Sequence, residues 1–378
     1  MTVSILRCDT YELNQLKETI MKSLDDLGGL DAFISRGDRV LLKTNLLMKK
    51  TPDEATTTHP MFVRAVAELL IEHGATVLIG DSPGGPFLES RMSNIYKATG
   101  MQETANDTGA SLNFNLKSFT VDSKKSLLLN KIELTDMIND VDQIINLPKL
   151  KTHGLTVFTG AVKNLFGLIP GTIKAEYHVR MPDVNDFSNA LIDICEYVKP
   201  VLHIMDGIMA MEGAGPSSGV PKKANVIITS DNPHDLDKVA CNLIGLGVMD
   251  VPTLRGAYTR GLTSESLTEV DLKGDSLEEL RIKEFAKAPA NSGRKRKIPK
   301  PLMAILVQQL KSKPIFNNMK CVGCGDCELN CPPNAIIMVD RKPVVDYNKC
   351  ISCFCCQELC PAKAINIKRP ILSKIIFR

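Results

Sequence analysis

Over the first three-quarters of the chain, apolar positions fall into two alternating patterns: short continuous runs, and runs spaced to cover one face of a helix. Arg39–Lys43 (RVLLK) is a short apolar strand candidate. Pro60–His73 places Phe62, Val63, Val66, Leu69 and Leu70 at helical spacing. Pro60 stands where a helix start tolerates a missing N–H, and Gly74 marks the stop. Residues 75–80 then read as a buried strand, followed by the turn segment at 81–86. Strand, helix and strand at this spacing predict a parallel βαβ unit. The pattern recurs, with strands expected at 142–147, 201–205 and 225–229 and a helix at about 234–246. Each strand runs into a polar loop marked by glycine or proline. The expected fold class is therefore α/β: a large, mainly parallel-sheet domain over residues 1–287, with ligands bound by the loops at the carboxyl ends of its strands.

The pattern breaks near residue 288. A polar, basic stretch that includes Arg294, Lys295, Arg296 and Lys297 leads into a proline-flanked amphipathic run at 302–310, so 288–318 reads as an interdomain linker. The basic run suits a solvated linker better than a nucleic-acid patch, because the whole chain carries only 46 basic against 43 acidic residues, a net charge of +3. No apolar run approaches the ~20 residues needed to span a bilayer, and the beginning of the chain lacks the basic and apolar regions of a secretory signal. A cytoplasmic protein with no membrane span and no nucleic-acid partner is expected.

Nine of the twelve cysteines fall between positions 321 and 360, which excludes a framework of scattered disulfides. Cys321, Cys324, Cys327 and Cys331, followed by Pro332, are repeated 29 residues later by Cys350, Cys353, Cys356 and Cys360, followed by Pro361. This spacing is similar to that of bacterial ferredoxins carrying two 4Fe-4S clusters, so residues 319–378 are expected to form a small α+β ferredoxin-like domain. Three thiolates at two-residue intervals can wrap one face of a cubane, while the fourth, before the proline, reaches the other cluster. Cys321, Cys324, Cys327 and Cys360 are thus expected to hold one 4Fe-4S cluster, and Cys331, Cys350, Cys353 and Cys356 the second. Structural zinc prefers two ligand pairs around one tetrahedral site, which two triplets with crossed fourth cysteines fit poorly. A radical-SAM triplet fails because positions 334 and 363 are Asn and Lys. Cys355 stands outside the ligand register.

Seven further motifs occur in order: Lys43-Thr44-Asn45, Thr57-Thr58-His59-Pro60, Gly80-Asp81-Ser82-Pro83-Gly84-Gly85, the stretch from Asn146 to His153, the stretch from Thr159 to Gly167, Met205-Asp206-Gly207, and Met211-Glu212-Gly213-Ala214-Gly215-Pro216. Over roughly residues 3–285 the chain resembles the domain-of-unknown-function-362 family, which is often fused to a ferredoxin module. The resemblance implies the two-part architecture and leaves the reaction open. The polar residues of these motifs are the candidate site. Lys43, Lys151, His153, Asp206 and Glu212 are expected to act on a substrate, with Asn45, His59, Asp81, Lys149, Lys163 and Asn164 binding it. Lysines converging at strand ends suit a small carboxylate or phosphate, and His178 belongs with them. His73, His203 and His234 read as structural. Other templates fail: Gly213 and Gly215 lack the third glycine of a dinucleotide loop, since position 218 is Ser, and neither a Walker loop nor a His-Glu-x-x-His zinc motif is present.

The expected function is an iron–sulfur electron-transfer protein, an oxidoreductase candidate, that passes low-potential electrons between a redox partner protein and this pocket. The alternative is a non-catalytic ferredoxin-like carrier, or a redox-sensing or assembly protein whose large domain docks a partner. An enzyme calls for lysines and histidines converging near a cluster; a docking module calls for an exposed apolar patch.

Overall fold

A computed structural model describes residues 1–171, 173–288 and 312–368. Most of the expected linker, including the amphipathic run at 302–310, lies outside the described residues.

The first domain is built on ten strands: β1 (Thr2–Arg7), β2 (Arg39–Lys43), β3 (Thr76–Gly80), β4 (Ser111–Leu112), β7 (Gln143–Asn146), β8 (Lys149–His153), β9 (Val157–Thr159), β10 (Leu202–Glu212), β11 (Val220–Ser230) and β12 (Asp271–Gly274). A separate hairpin, β5 (Ser118–Asp122) and β6 (Lys131–Thr135), interrupts the series. The main path runs β12-β1-β11-β10-β7-β2-β3-β4, and β8, paired with β10 and β9, lies off it. Its helices are α1 (Leu13–Asp25), α2 (Pro60–His73), α3 (Glu89–Ala98), α4 (Met101–Thr108), α5 (Ala161–Asn164), α6 (Lys174–Arg180), α7 (Val184–Val198), α8 (Pro233–Leu243), α9 (Pro252–Thr259) and α10 (Leu277–Leu280).

The sheet is mixed and mainly parallel. The β2–β3 pair is parallel, as the βαβ pattern requires, and β7, β4 and β10 extend it in the same sense. By contrast, β11 runs antiparallel to both β1 and β10. The strand expected at 225–229 therefore ends at the opposite edge from its neighbours, and helix α8 starts there, capped by Asn232.

Alternation along β2 covers both faces of the sheet. Val40 and Leu42 pack with Phe62, Val63 and Val66 of α2 and with Leu16 and Ile20 of α1, while Leu41 turns to the cluster of Leu165, Phe187 and Leu191. Chemistry is concentrated where β7 gives way to β8. The strand is interrupted at Leu147-Pro148, and β8 continues beside β10, pairing Lys149 with Asp206 and Lys151 with Met211 with a shift of register between the two pairs. All five residues of β8 are buried, although three of them are Lys149, Lys151 and His153.

The second domain repeats one small unit. Two antiparallel pairs, β13 (Lys313–Phe316) with β16 (Ile365–Lys368) and β14 (Ile336–Val339) with β15 (Lys342–Val345), flank two helical turns, Asp326–Leu329 and Cys355–Glu358. The second turn docks on the first domain. Gln357 Nε2 donates to Ala214 O at 3.0 Å, Ser217 Oγ donates to Gln357 O at 3.4 Å, and Lys363 Nζ lies 3.2 Å from Glu54 Oε1. Gly84 is part of the fit, since a Cβ there would stand 3.0 Å from Leu359 Cδ2.

Candidate functional site

The eight register cysteines fall into two groups of four. Cys321, Cys324, Cys327 and Cys360 line one small apolar cavity with Val322, Phe316 and Ile365. Cys331, Cys350, Cys353 and Cys356 line another with Pro314, Ile336 and Phe354. Each cavity takes its fourth cysteine from the other half of the repeat. Backbone amides already approach two sulfurs, with Ala335 N donating to Cys331 Sγ at 3.2 Å and Ala364 N to Cys360 Sγ at 3.3 Å. Four thiols around an apolar hollow, with N–H groups turned to sulfur, fit a cubane cluster in each cavity.

A third cavity, of about 100 Å³, lies at the seam between the domains. The first domain contributes Asn45, Asp81, Lys151, His153, Lys163 and Asn164, and the ferredoxin-like domain contributes Cys355, Glu358 and Leu359. Cys355 thus lines the seam cavity, although its neighbours Cys353 and Cys356 line the cysteine cavity.

A run of buried amides fixes this wall. Lys151 Nζ donates to Asn45 Oδ1 at 2.8 Å and to Thr56 O at 2.6 Å. Asn45 Nδ2 donates to Asn164 Oδ1 at 2.8 Å, and Asn164 Nδ2 donates to Asn146 Oδ1 at 2.7 Å. Each amide receives at one end and gives at the other, so reversing any one of them would break two contacts. His153 is fixed in another way. Its Nδ1 accepts from Leu155 N at 3.1 Å and Thr156 N at 3.2 Å, so the neutral ring carries its proton on Nε2. That Nε2–H faces Glu358 Oε1 at 3.2 Å, yet this oxygen has no aligned hydrogen-bond donor among the described residues.

Burial and like charge set the protonation of the group. Burial, with the Lys163 charge nearby, brings Lys151 down to about 7. Burial likewise lowers Lys174 to about 7, and burial with Lys163 lowers His178 to about 3. His153 is held well below the usual histidine range by burial, then by Lys163 and Lys151. Both imidazoles are therefore neutral at pH 7. Lys163 Nζ sits over the Phe166 ring at 4.7 Å and the Phe187 ring at 5.7 Å, and no carboxylate pairs with it among the described residues.

Five of the expected site residues lie outside the cavity lining. Lys43 is buried beneath it and ion-paired to Asp81 at 2.8 Å. Buried Lys149 and Asp206 form a separate cluster with the half-buried His59 and Tyr11. Lys149 Nζ meets Asp206 Oδ2 at 2.7 Å, Tyr11 donates to Asp206 Oδ1 at 2.8 Å, and the Tyr11 and His59 rings stack at 3.6 Å. Glu212, at the end of β10, accepts from Ala286 N at 2.8 Å. The single crevice expected from strand ends is thus two clusters, because the register of β8 against β10 shifts between the Lys149–Asp206 and Lys151–Met211 pairs: Lys149 meets Tyr11 and Asp206, while Lys151 and His153 line the seam.

The cavity also holds residues that strand-end reasoning missed. Lys174 on α6 donates to Ser82 O and lies 5.8 Å from the Phe166 ring. The hydroxyls of Ser82 and Thr159 are buried at the wall without a hydrogen-bond partner among the described residues. Ser82 and Thr159 stand inside two of the quoted motifs, whereas Lys174 and Glu358 carried no sequence signal.

Against known proteins, the family described as Domain of unknown function (DUF362) matches residues 40–242, over half of the chain. This chain belongs to the DUF362 family. A thylakoid-associated protein of Synechocystis is 36% identical over 270 residues, which is 71% of this chain and 82% of that protein. A 4Fe-4S dicluster domain matches residues 320–364, so the DUF362 domain is followed by a ferredoxin-type iron–sulfur domain. Among solved structures, the lactate racemase apoprotein of Thermoanaerobacterium thermosaccharolyticum aligns with a TM-score of 0.41 and 11% identity, covering 65% of this chain and 57% of that one. A structural-genomics protein of Thermotoga maritima aligns with a TM-score of 0.33 and 16% identity, covering 55% and 53%. The chain thus spans little more than half the length of either structure. No helix among the described residues is long and apolar enough to cross a membrane.

Proposed function

We propose that this DUF362 protein is an iron–sulfur electron-transfer protein that binds a small anionic substrate at the seam between its domains. One observation carries this reading: Cys355 and Glu358, on the helical turn that also bears Cys356, line the same cavity as Lys151, His153 and Lys163. A substrate held there lies one residue from a cluster ligand. Cys321, Cys324, Cys327 and Cys360 would hold one 4Fe-4S cluster and Cys331, Cys350, Cys353 and Cys356 the second. When bound, the clusters supply one electron at a time at low potential.

The residues of this chain divide the remaining work. Lys151 and Lys163 attract the anion, and the Asn45–Asn164 amides hold Lys151 in position. His153, neutral with its proton on Nε2, donates a hydrogen bond to a substrate oxygen and does not act as a base. Glu358 and Leu359 cover the cavity from the ferredoxin side. A redox partner would meet the other half of the module, where Met319, Val322 and Leu329 are exposed apolar side chains. Thiolate ligation requires reducing surroundings, which supports a cytoplasmic location.

The test uses full-length protein reconstituted anaerobically and reduced with dithionite. Malonate should alter the electron paramagnetic resonance of the cluster held by Cys350, Cys353 and Cys356, and Lys151→Met should abolish the change. Malonate that binds and leaves the spectrum untouched would sink the coupling of pocket to cluster.

A further inference from the structure

We infer that the ligand of the seam cavity is a small dianion, a short dicarboxylate or a phosphate group, rather than a monoanion. This deepens the substrate reading above and rests on the seam being an anion site.

Charge balance is the first ground. Lys151, Lys163 and Lys174 bring three ammonium groups to the cavity wall. Asp81 is already taken by Lys43 at 2.8 Å, which leaves Glu358 as the carboxylate facing the three lysines. Once Lys151 and Lys174 carry their protons, as they do below pH 7, two positive charges are uncompensated among largely buried groups, an arrangement that is unfavourable until matching negative charge enters. A monoanion neutralises half of the excess, whereas a dianion neutralises all of it.

Unused donors are the second ground, independent of charge. Ser82 Oγ and Thr159 Oγ1 are buried at the wall and unpartnered among the described residues, and a buried hydroxyl without a partner is costly. The Nε2–H of His153 faces a carboxylate oxygen without aligning to it. Together with the Lys163 ammonium over Phe166, these groups have hydrogen-bonding capacity that the protein leaves unused. A ligand with several acceptor oxygens satisfies them, as two carboxylates or one phosphate would.

Size is the third ground. A cavity of about 100 Å³ has room for an anion of a few heavy atoms, the size of a short dicarboxylate or a phosphate.

The experiment is isothermal titration of the anaerobically reconstituted full chain at pH 7, where malonate is a dianion and inorganic phosphate supplies mono- and dianion together, with malonate, inorganic phosphate and acetate. Malonate or phosphate should bind at least tenfold more tightly than acetate, and the tighter of the two identifies the source of the charge. Lys174→Gln should remove most of that preference while acetate binding changes less than threefold. Ser82→Ala, which alters no charge, should weaken the dianion and spare acetate. Acetate binding as tightly as both dianions, or no anion binding at all, would overturn the inference. The two readings fail separately: a dianion that binds without disturbing the cluster signal defeats electron transfer to the pocket and leaves the dianion site standing. A monoanion that binds equally well and does disturb the signal has the opposite effect.

Discussion

His153 Nε2 and Glu358 Oε1 stand 3.2 Å apart although they belong to different domains and lie 205 positions apart in the chain. Two backbone amides occupy Nδ1 of the ring, so the hydrogen facing Glu358 is the only one the neutral imidazole has. The contact joins the lysine-rich wall of the DUF362 domain to the helical turn that carries Cys355 and Cys356. Four predictions follow from this arrangement and its surroundings.

Anaerobically purified protein should contain about eight iron and eight sulfide per chain, as two 4Fe-4S clusters require. Cys324→Ala should lose one cluster preferentially. Cys355→Ala should lose neither, because Cys355 lines the seam cavity and not the hollow formed by Cys331, Cys350, Cys353 and Cys356. Iron and sulfide analysis of the three proteins decides this.

Anion affinity should fall as pH rises above neutrality. Burial brings Lys151 and Lys174 to about 7. The groups facing them are Lys43, Asp81, Lys149, Lys163 and Glu358, with His153, His178 and Cys355 beside them. Below pH 7 both lysines carry their protons before the anion arrives, so affinity is flat. Above it, each must regain a proton on binding, and malonate affinity should drop by up to about tenfold per pH unit for each lysine. Calorimetry in buffers of different ionisation enthalpy should register proton uptake at pH 8 and almost none at pH 6.

Asp206→Ala should act on stability and not specifically on the pocket. Lys149 would be left buried beside Tyr11 without its carboxylate, a loss of about 3–5 kcal/mol for a broken buried pair. Denaturant unfolding should show this loss. Folded Asp206→Ala protein should bind malonate within about threefold of the parent, whereas Lys151→Met should not. The contrast separates two lysines that lie two residues apart on one strand.

Gln357→Ala should loosen the seam. It removes the donor to Ala214 O from a side chain that is 1% exposed, so a cost of about 1–3 kcal/mol is expected. Malonate affinity should fall with it, because Glu358 and Leu359 then no longer close the cavity. Unchanged unfolding and unchanged affinity would together show that the seam does not depend on this turn.

Much of this architecture is legible along the chain, for local reasons. The cysteine register is a short-range pattern, and two copies 29 residues apart suffice to separate a ferredoxin-like repeat from zinc. The helix Pro60–His73 and the strands β2 and β3 follow from spacing, with Pro60 and Gly74 marking the helix ends. The motifs carrying Asn45, Asp81, Lys151, His153, Lys163 and Asn164 are also visible, and the fold brings these six to one cavity.

The division of labour among the polar residues was decided only in three dimensions. Lys149 and Lys151 look alike in sequence, but the shift of register between their pairings with β10 places one against Asp206 and the other against Asn45. Strand β11 is apolar like its neighbours, and only its antiparallel pairing with β1 and β10 shows that its end leaves the site edge. Lys174 and Glu358 enter the cavity from a short helix and from the other domain, and no local periodicity encodes such contacts. Residue spacing records which side chains share an element, but whether a charge is paired, and which domain closes over it, depends on packing between segments far apart in the chain.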